Sequence, residues 1–161
     1  MGVNDSSRAL LRHAVATVAY RGAKACRDAP PGFADFRPKD GTRSAGEILA
    51  HIGDLYDWAN QMARGNWTWH TAAPLPWDEE VARFHATLLE FDALLASDAP
   101  LGFPAETLFQ GPVADSLTHV GQLAQLRRLA GAPIRGESYA RAEIAAGRVG
   151  PDQAKATVEF D

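Results

Sequence analysis

Apolar residues recur along most of this chain at the three- and four-residue spacing of helices. The first such segment covers about residues 6–27, and Pro30 and Pro31 end it. The third covers about residues 77–97, with three acidic residues in the first turn that favour a helix start. The buried stripes are predicted to contain Leu10, Leu11, Ala14, Val15, Val18 and Ala25 in the first segment, and Trp77, Val81, Phe84, Leu88, Phe91 and Leu95 in the third.

Two further helices are bounded by local signals. Ser44 and Glu47 have the spacing of a capping box before a helix over about residues 45–64. The fourth helix is predicted to start at Pro112 and to end at Gly131, a residue type that commonly follows a helix. Residues 132–161 are predicted to form an irregular tail that packs on the helices or on a second subunit, with one short helix over Tyr139–Ala146.

Four helices with one apolar face each predict an all-α fold, a four-helix bundle over residues 1–131 followed by the tail. Helical periodicity leaves the order of the helices in the bundle open. The 161 residues suffice for one domain, and the single cysteine, Cys26, excludes an internal disulfide. A net charge of −4 without a basic cluster argues against nucleic-acid binding. No apolar run approaches the length of a membrane span, and the default location is the cytoplasm.

Polar residues interrupt two of the predicted apolar stripes. On a helical wheel, Leu55, Trp58 and Met62 all lie within about 80° of His51, which places His51 among core positions. In the fourth helix, Asp115, His119 and Gln122 continue the stripe that Leu126 and Leu129 form further along. Asp115 and His119 are four residues apart and share a helix face, so both could bind one metal ion, with His51 as the third ligand.

Simpler interpretations of these residues stay open at this point. His51 could be a hydrogen-bonded core histidine, and Asp115 is favoured by the helix dipole in a first turn. Arg127 could bind an anion or be an ordinary surface cation near a helix end, and the tryptophans of the loop before the third helix could line a pocket or anchor the loop. The other histidines, His13, His70 and His85, are predicted to lie at the surface or at the edge of an apolar face.

The second and fourth helices resemble those of the DinB/YfiT-like superfamily. The matching stretches run from Arg43 to Leu55 and from Asp115 to Gly131, and the likeness covers residues 4–131. Two stretches, residues 111–115 and 147–152, are similar to a narrower branch of such proteins. The resemblance implies an up-down-down-up bundle, frequent homodimers, and a metal site of three histidines. His51 and His119 match two of these, and Asp115 stands in place of the third.

Among family members with known activities are thiol-dependent enzymes, namely bacillithiol S-transferases and a maleylpyruvate isomerase that uses mycothiol. The resemblance therefore implies a metal-dependent thiol S-transferase of small-molecule metabolism or detoxification, with His51, Asp115 and His119 binding zinc or nickel. Gln122 is expected to orient a ligand or water, and Trp58 and Arg127 are candidates for substrate or thiol binding. Two alternatives stay open: a metal-dependent hydrolase, with Glu47 or Asp54 near the metal, and a non-catalytic metal-binding dimer.

Overall fold

Helices dominate the computed structural model, which describes residues 3–160. They are α1 (Val3–Cys26), α2 (Ala45–Ala63), α3 (Trp77–Ala96), the one-turn α4 (Ala105–Leu108) and α5 (Ala114–Leu129). A π-helical turn (Phe109–Val113) joins α4 to α5, and two 3₁₀ turns (Phe33–Asp35 and Tyr139–Arg141) lie in the loop after α1 and in the tail. The prediction of a mostly helical fold with four long helices is confirmed. Residues 1, 2 and 161, which the predicted domain ranges include, lie outside the described residues.

The predicted capping box at the start of α2 is present. The Ser44 hydroxyl accepts from the backbone N–H of Glu47 at 3.2 Å, and the Glu47 carboxylate accepts from the Ser44 N–H at 2.6 Å. These two bonds satisfy backbone donors that the helix itself cannot pair. The start of α2, and with it the register of His51, is therefore fixed by local chemistry.

The predicted start of the fourth helix at Pro112 is wrong. Helical backbone begins at Ala105, and Pro112 lies inside the π-helical turn that precedes α5. Proline has no N–H, and its ring crowds the carbonyl four residues earlier, so a helix that continues through Pro112 must depart from α geometry. The π turn supplies that departure. At the other end, Gly131 adopts the predicted left-handed conformation, with φ 78°.

The four long helices pack around one apolar core. Helix α2 packs against α3 and α5, and α1 packs against the same two helices. Gly22 of α1 leaves room for the ring of Phe84 of α3, because a Cβ at this position would collide with that ring. The predicted stripe of α1 is wrong at Leu10, which is 71% exposed. The largest fully buried apolar side chains are Tyr56, Phe84, Phe91, Leu49, Ile52, Met62, Leu88, Leu95, Leu108 and Leu123.

The chain after α5 lies against the helices with little regular structure. The predicted helix over Tyr139–Ala146 is wrong in extent, since only the 3₁₀ turn forms. A helix of eight residues is marginal without tertiary support, and the Tyr139 ring instead packs under the guanidinium of Arg21. Two short strands, β1 (Gly136–Glu137) and β2 (Glu159–Phe160), pair antiparallel.

Two buried contacts join this tail to the helices. The Glu137 carboxylate accepts hydrogen bonds from Tyr20 and Lys24 of α1. The Val149 carbonyl accepts from Nδ1 of His85 at 2.9 Å, and His85 is buried, whereas it was predicted to lie at the surface or at the edge of an apolar face. Across the described residues, no helix is both long enough and apolar enough to cross a membrane.

Candidate metal centre

The structure brings the three predicted ligands together between α2 and α5. One ligand atom from each of His51, Asp115 and His119 lies within 4.8 Å of the others. Nε2 of His119 is 3.4 Å from one Asp115 oxygen, and Nε2 of His51 is 3.9 Å from the other. Ligand atoms around a tetrahedral zinc ion lie about 3.3 Å apart. Small side-chain rotations would therefore fit all three donors to one ion.

Two local features place these side chains. Asp115 and His119 lie one turn apart on α5, as their spacing predicts. The π turn ends at Val113, immediately before α5, so Asp115 lies in the first turn of α5. The imidazole rings of His51 and His119 are nearly perpendicular, with centroids 4.6 Å apart.

The site lies at the edge of the core and not within it. Asp115 was predicted to be buried, but 47% of its side chain is exposed, against 19% for His51 and 11% for His119. The buried face of α5 is centred on Ser116 and Leu123. The predicted apolar stripe, which ran through Asp115 and Leu129, is rotated away from this face around the helix axis, and Leu129 is exposed. An ion at this position would remain open to solvent and to small molecules.

Gln122 fixes the orientation of one ligand. Its Oε1 accepts a hydrogen bond from Nδ1 of His119 at 2.8 Å. Because an amide oxygen can only accept, Nδ1 carries the proton and Nε2 keeps the lone pair that a metal needs. The expected role of Gln122 in orienting a ligand or water stays a prediction, and this contact is where it would act.

The electrostatic surroundings of His51 favour its neutral form. Partial burial lowers the pKa of His51, and the positive charge of Arg43 and the neighbouring His119 lower it further. The carboxylates of Asp115 and Asp54 act in the opposite direction. Neutral imidazole is the form that binds metals, so these surroundings suit a ligand.

An aromatic side chain that the sequence argument did not place at the site covers His51. Trp69 lies with its ring centroid 5.6 Å from that of His51 and is 40% exposed. Trp58, the predicted substrate-binding residue, packs against Trp67 and Trp69 at 5.3 and 5.7 Å. Trp69 therefore packs near both Trp58 and His51. The sequence shows a cluster of tryptophans in this loop, but only the tertiary packing shows that Trp69 is the one next to His51.

The loop that carries Trp69 is held by buried carboxylates. The Ala72 N–H donates to Asp54, which also accepts from the Arg83 guanidinium at 2.6 Å. Glu80 accepts from the N–H of Leu75 at 2.9 Å. Both carboxylates suggested for a hydrolase accept hydrogen bonds, Asp54 from Ala72 and Arg83 and Glu47 within the capping box.

Arg127 does not reach the candidate metal site. It is buried, and its guanidinium donates to the carbonyls of Ala25, Arg27 and Asp28 at the end of α1 and to that of Ala132. Arg127 is therefore not an ordinary surface cation, one of the two interpretations left open for it, and all three of its guanidinium nitrogens donate to backbone carbonyls. The structure gives this residue a role in joining α1 to α5.

Two open hollows flank the metal ligands, with volumes of about 400 and 390 Å³. The larger includes His51 and the smaller includes His119 and Gln122, and Thr42 and Arg43 line both. Hollows of this size can admit a small organic molecule. His51 thus lines one hollow and His119 the other, while Asp115 lines neither.

Comparison with family models, with curated proteins and with solved structures found no match to this chain. The site is therefore interpreted from its own geometry. The resemblance of α2 and α5 to the DinB/YfiT-like superfamily stays a prediction.

Proposed function

We propose that this protein binds one divalent metal ion, zinc or nickel, through His51, Asp115 and His119 and uses it in a reaction on a small molecule. The observation that carries the proposal is the convergence of three donor atoms within 4.8 Å at a solvent-open edge of the core. The hydrogen bond from His119 to Gln122 supports it, because it orients the free nitrogen toward the other donors.

The donor set fits a catalytic ion better than a structural one. Two imidazoles and one carboxylate form a three-ligand set, which in zinc enzymes leaves a position open for water or substrate. Structural zinc sites are closed by four protein ligands. Here the carboxylate is half exposed, and each of the two histidines lines an open hollow.

We propose thiol S-transfer as the reaction. A divalent ion at this position would lower the pKa of a thiol that binds to it. The thiol proton would pass to solvent, the sulfur would form a bond to an electrophilic carbon of the second substrate, and the leaving group would depart with its bonding electrons. Burial raises the pKa of Cys26 to about 12, so the reactive thiol has to come from a small cofactor.

A conjugation assay tests this activity. Metal-loaded protein is mixed with 1-chloro-2,4-dinitrobenzene and a panel of low-molecular-weight thiols, and product formation is compared with that of metal-free protein and of His119→Ala. We expect turnover only with loaded wild type. Equal rates for the loaded and metal-free forms would contradict thiol transfer, and cleavage of esters without added thiol would support the hydrolase instead.

The remaining expectations are proposals of the same kind. We propose the up-down-down-up helix order, assembly as a homodimer and a cytoplasmic location. Each is supported by the resemblance or by composition. Loss of thermal stability in His119→Ala, with no activity in any assay, would favour the alternative of a non-catalytic metal-binding dimer.

A further inference from the structure

The two hollows beside the metal ligands differ in chemistry. The hollow that includes His51 is the more polar of the two, and polar or charged side chains such as Arg37, Arg43 and Thr71 make up about half of its lining. The hollow that includes His119 is lined by the apolar side chains of Ile48, Leu126 and Leu129. A molecule that spans both would therefore meet a polar wall at one end and an apolar wall at the other.

Arg43 stands where the two hollows meet. It lines both of them and is exposed, and in the described part of the chain no hydrogen bond or ion pair engages its guanidinium. Arg37 differs, because it donates to the Thr42 carbonyl at 2.8 Å and lies 3.5 Å from the Glu47 carboxylate. Arg43 is therefore the cation beside the metal ligands that is available to a bound molecule.

The charge of the site favours an anion. A divalent ion bound by two neutral imidazoles and the Asp115 carboxylate would keep one net positive charge, and Arg43 adds a second. The Glu47 and Asp54 carboxylates also line the hollow that includes His51, but they are paired with Arg37 and Arg83. The start of α2 offers little to a phosphate, because Ser44 and Glu47 already satisfy its backbone donors and Glu47 places a carboxylate there. A single planar guanidinium instead matches a carboxylate, which it can bind through two parallel hydrogen bonds.

From these contacts we infer that the substrate or cofactor of this site is an amphipathic carboxylic acid. Arg43 binds its carboxylate, and its apolar part lies against Ile48, Leu126 and Leu129. This inference rests on the proposed metal site and adds the chemical class of the molecule that it accepts.

Binding of simple thiol probes to cobalt-loaded full-length protein tests the inference. Cobalt content is measured first, and titrations then compare 3-mercaptopropanoate with its neutral counterpart 3-mercaptopropanamide, followed by the sulfur-to-cobalt absorption band. We expect the acid to bind about tenfold more tightly in the wild type, as one charge-assisted hydrogen-bonded pair would provide. Arg43→Gln should reduce this preference to about twofold or less.

Arg128→Gln provides the matched control, because Arg128 is also exposed, carries the same charge and lies on the other side of α5 from the metal ligands. It should keep the full preference for the acid. A 2-benzyl substituent on the acid probe should tighten binding several-fold, and Leu129→Ser should reduce that gain.

Three results would overturn the inference. Equal affinities for acid and amide in the wild type would exclude recognition of the carboxylate, and an unchanged preference in Arg43→Gln would exclude this arginine. Tighter binding of 2-mercaptoethyl phosphate than of the acid would replace a carboxylate with a phosphate. Failure to bind cobalt would be a separate outcome, since it refutes the metal site itself and the inference with it.

Discussion

At the scale of single residues, His119 uses both of its ring nitrogens. Nδ1 donates to Gln122, and Nε2 faces the Asp115 carboxylate at 3.4 Å. The imidazole is thus held in one orientation and one tautomer by a neighbour on the same helix turn. Such hydrogen bonds commonly contribute strongly to metal affinity.

Replacement of Gln122 should weaken metal binding without unfolding the protein. Gln122→Ala removes the acceptor that fixes His119, and we expect metal affinity to fall about ten- to a hundredfold. Competition with a chromophoric chelator measures the change. Gln125→Ala, an exposed glutamine on the same helix without this bond, is the control. Identical affinities for the two variants would refute the orienting role.

Residue spacing predicts only part of the site. The i, i+4 pair of Asp115 and His119 and the position of Gln122 follow from helix geometry, and the structure places all three as that geometry requires. Exposure of Asp115 and burial of Arg127 do not follow, because they depend on the angle at which α5 meets its neighbours. Leu129 was predicted to belong to the buried stripe but is exposed, because the residue type alone does not show whether a leucine is buried.

At the scale of elements, α5 has two separate functions along its length. Its first turns carry the candidate ligands, and its last turn carries Arg127, which pairs the otherwise unsatisfied carbonyls at the end of α1. The start of α5 was mispredicted because proline commonly occupies the first position of a helix. Here Pro112 lies inside a π-helical turn, so the helical backbone begins before it. Helix α2 was predicted well, since its capping box is purely local.

Loss of Arg127 should reduce stability and leave the metal site intact. Arg127→Met leaves four backbone carbonyls without their donor, and we expect the free energy of unfolding to fall by about 2–4 kcal/mol. Urea denaturation measures it, with the exposed Arg128→Met as control, for which we expect a change within about 0.5 kcal/mol. Similar losses in both variants would contradict the helix-joining role, and reduced metal affinity in Arg127→Met would place Arg127 nearer the site.

At the scale of the whole molecule, the tail and the loop after α2 pack against the outer faces of the helices. The tail docks through Glu137 and Val149, and the loop after α2 brings Trp69 to His51. Neither could be predicted from periodicity, because both depend on contacts between residues far apart in the chain. The single core of four helices could be predicted, since each helix has an apolar face to bury.

Docking of the tail should make stability depend on pH through His85. Burial lowers the pKa of His85 below its ordinary value of 6.5, although the hydrogen bond to the Val149 carbonyl opposes the shift. Below pH 6.5 the unfolded chain therefore binds more protons at this residue than the folded chain does, and stability falls as the pH falls toward the folded-state pKa.

Urea denaturation between pH 5 and pH 8, a range of about three units around the histidine pKa, measures this dependence. His85→Gln should reduce the loss of stability on acidification, because the titrating group is gone. His13→Gln, at an exposed position, should leave it unchanged. The same pH dependence in wild type and His85→Gln would show that other groups are responsible.

The central claim is that His51, Asp115 and His119 bind one metal ion, and metal content tests it most directly. The protein is purified without a histidine tag, incubated with zinc or nickel and separated from excess metal. Its metal content is then measured by plasma mass spectrometry beside that of His51→Ala, His119→Ala and the control His13→Ala. We expect about one equivalent in the wild type and the control, and none in the two ligand variants. No retained metal in the wild type, or equal content in all four proteins, would contradict the account.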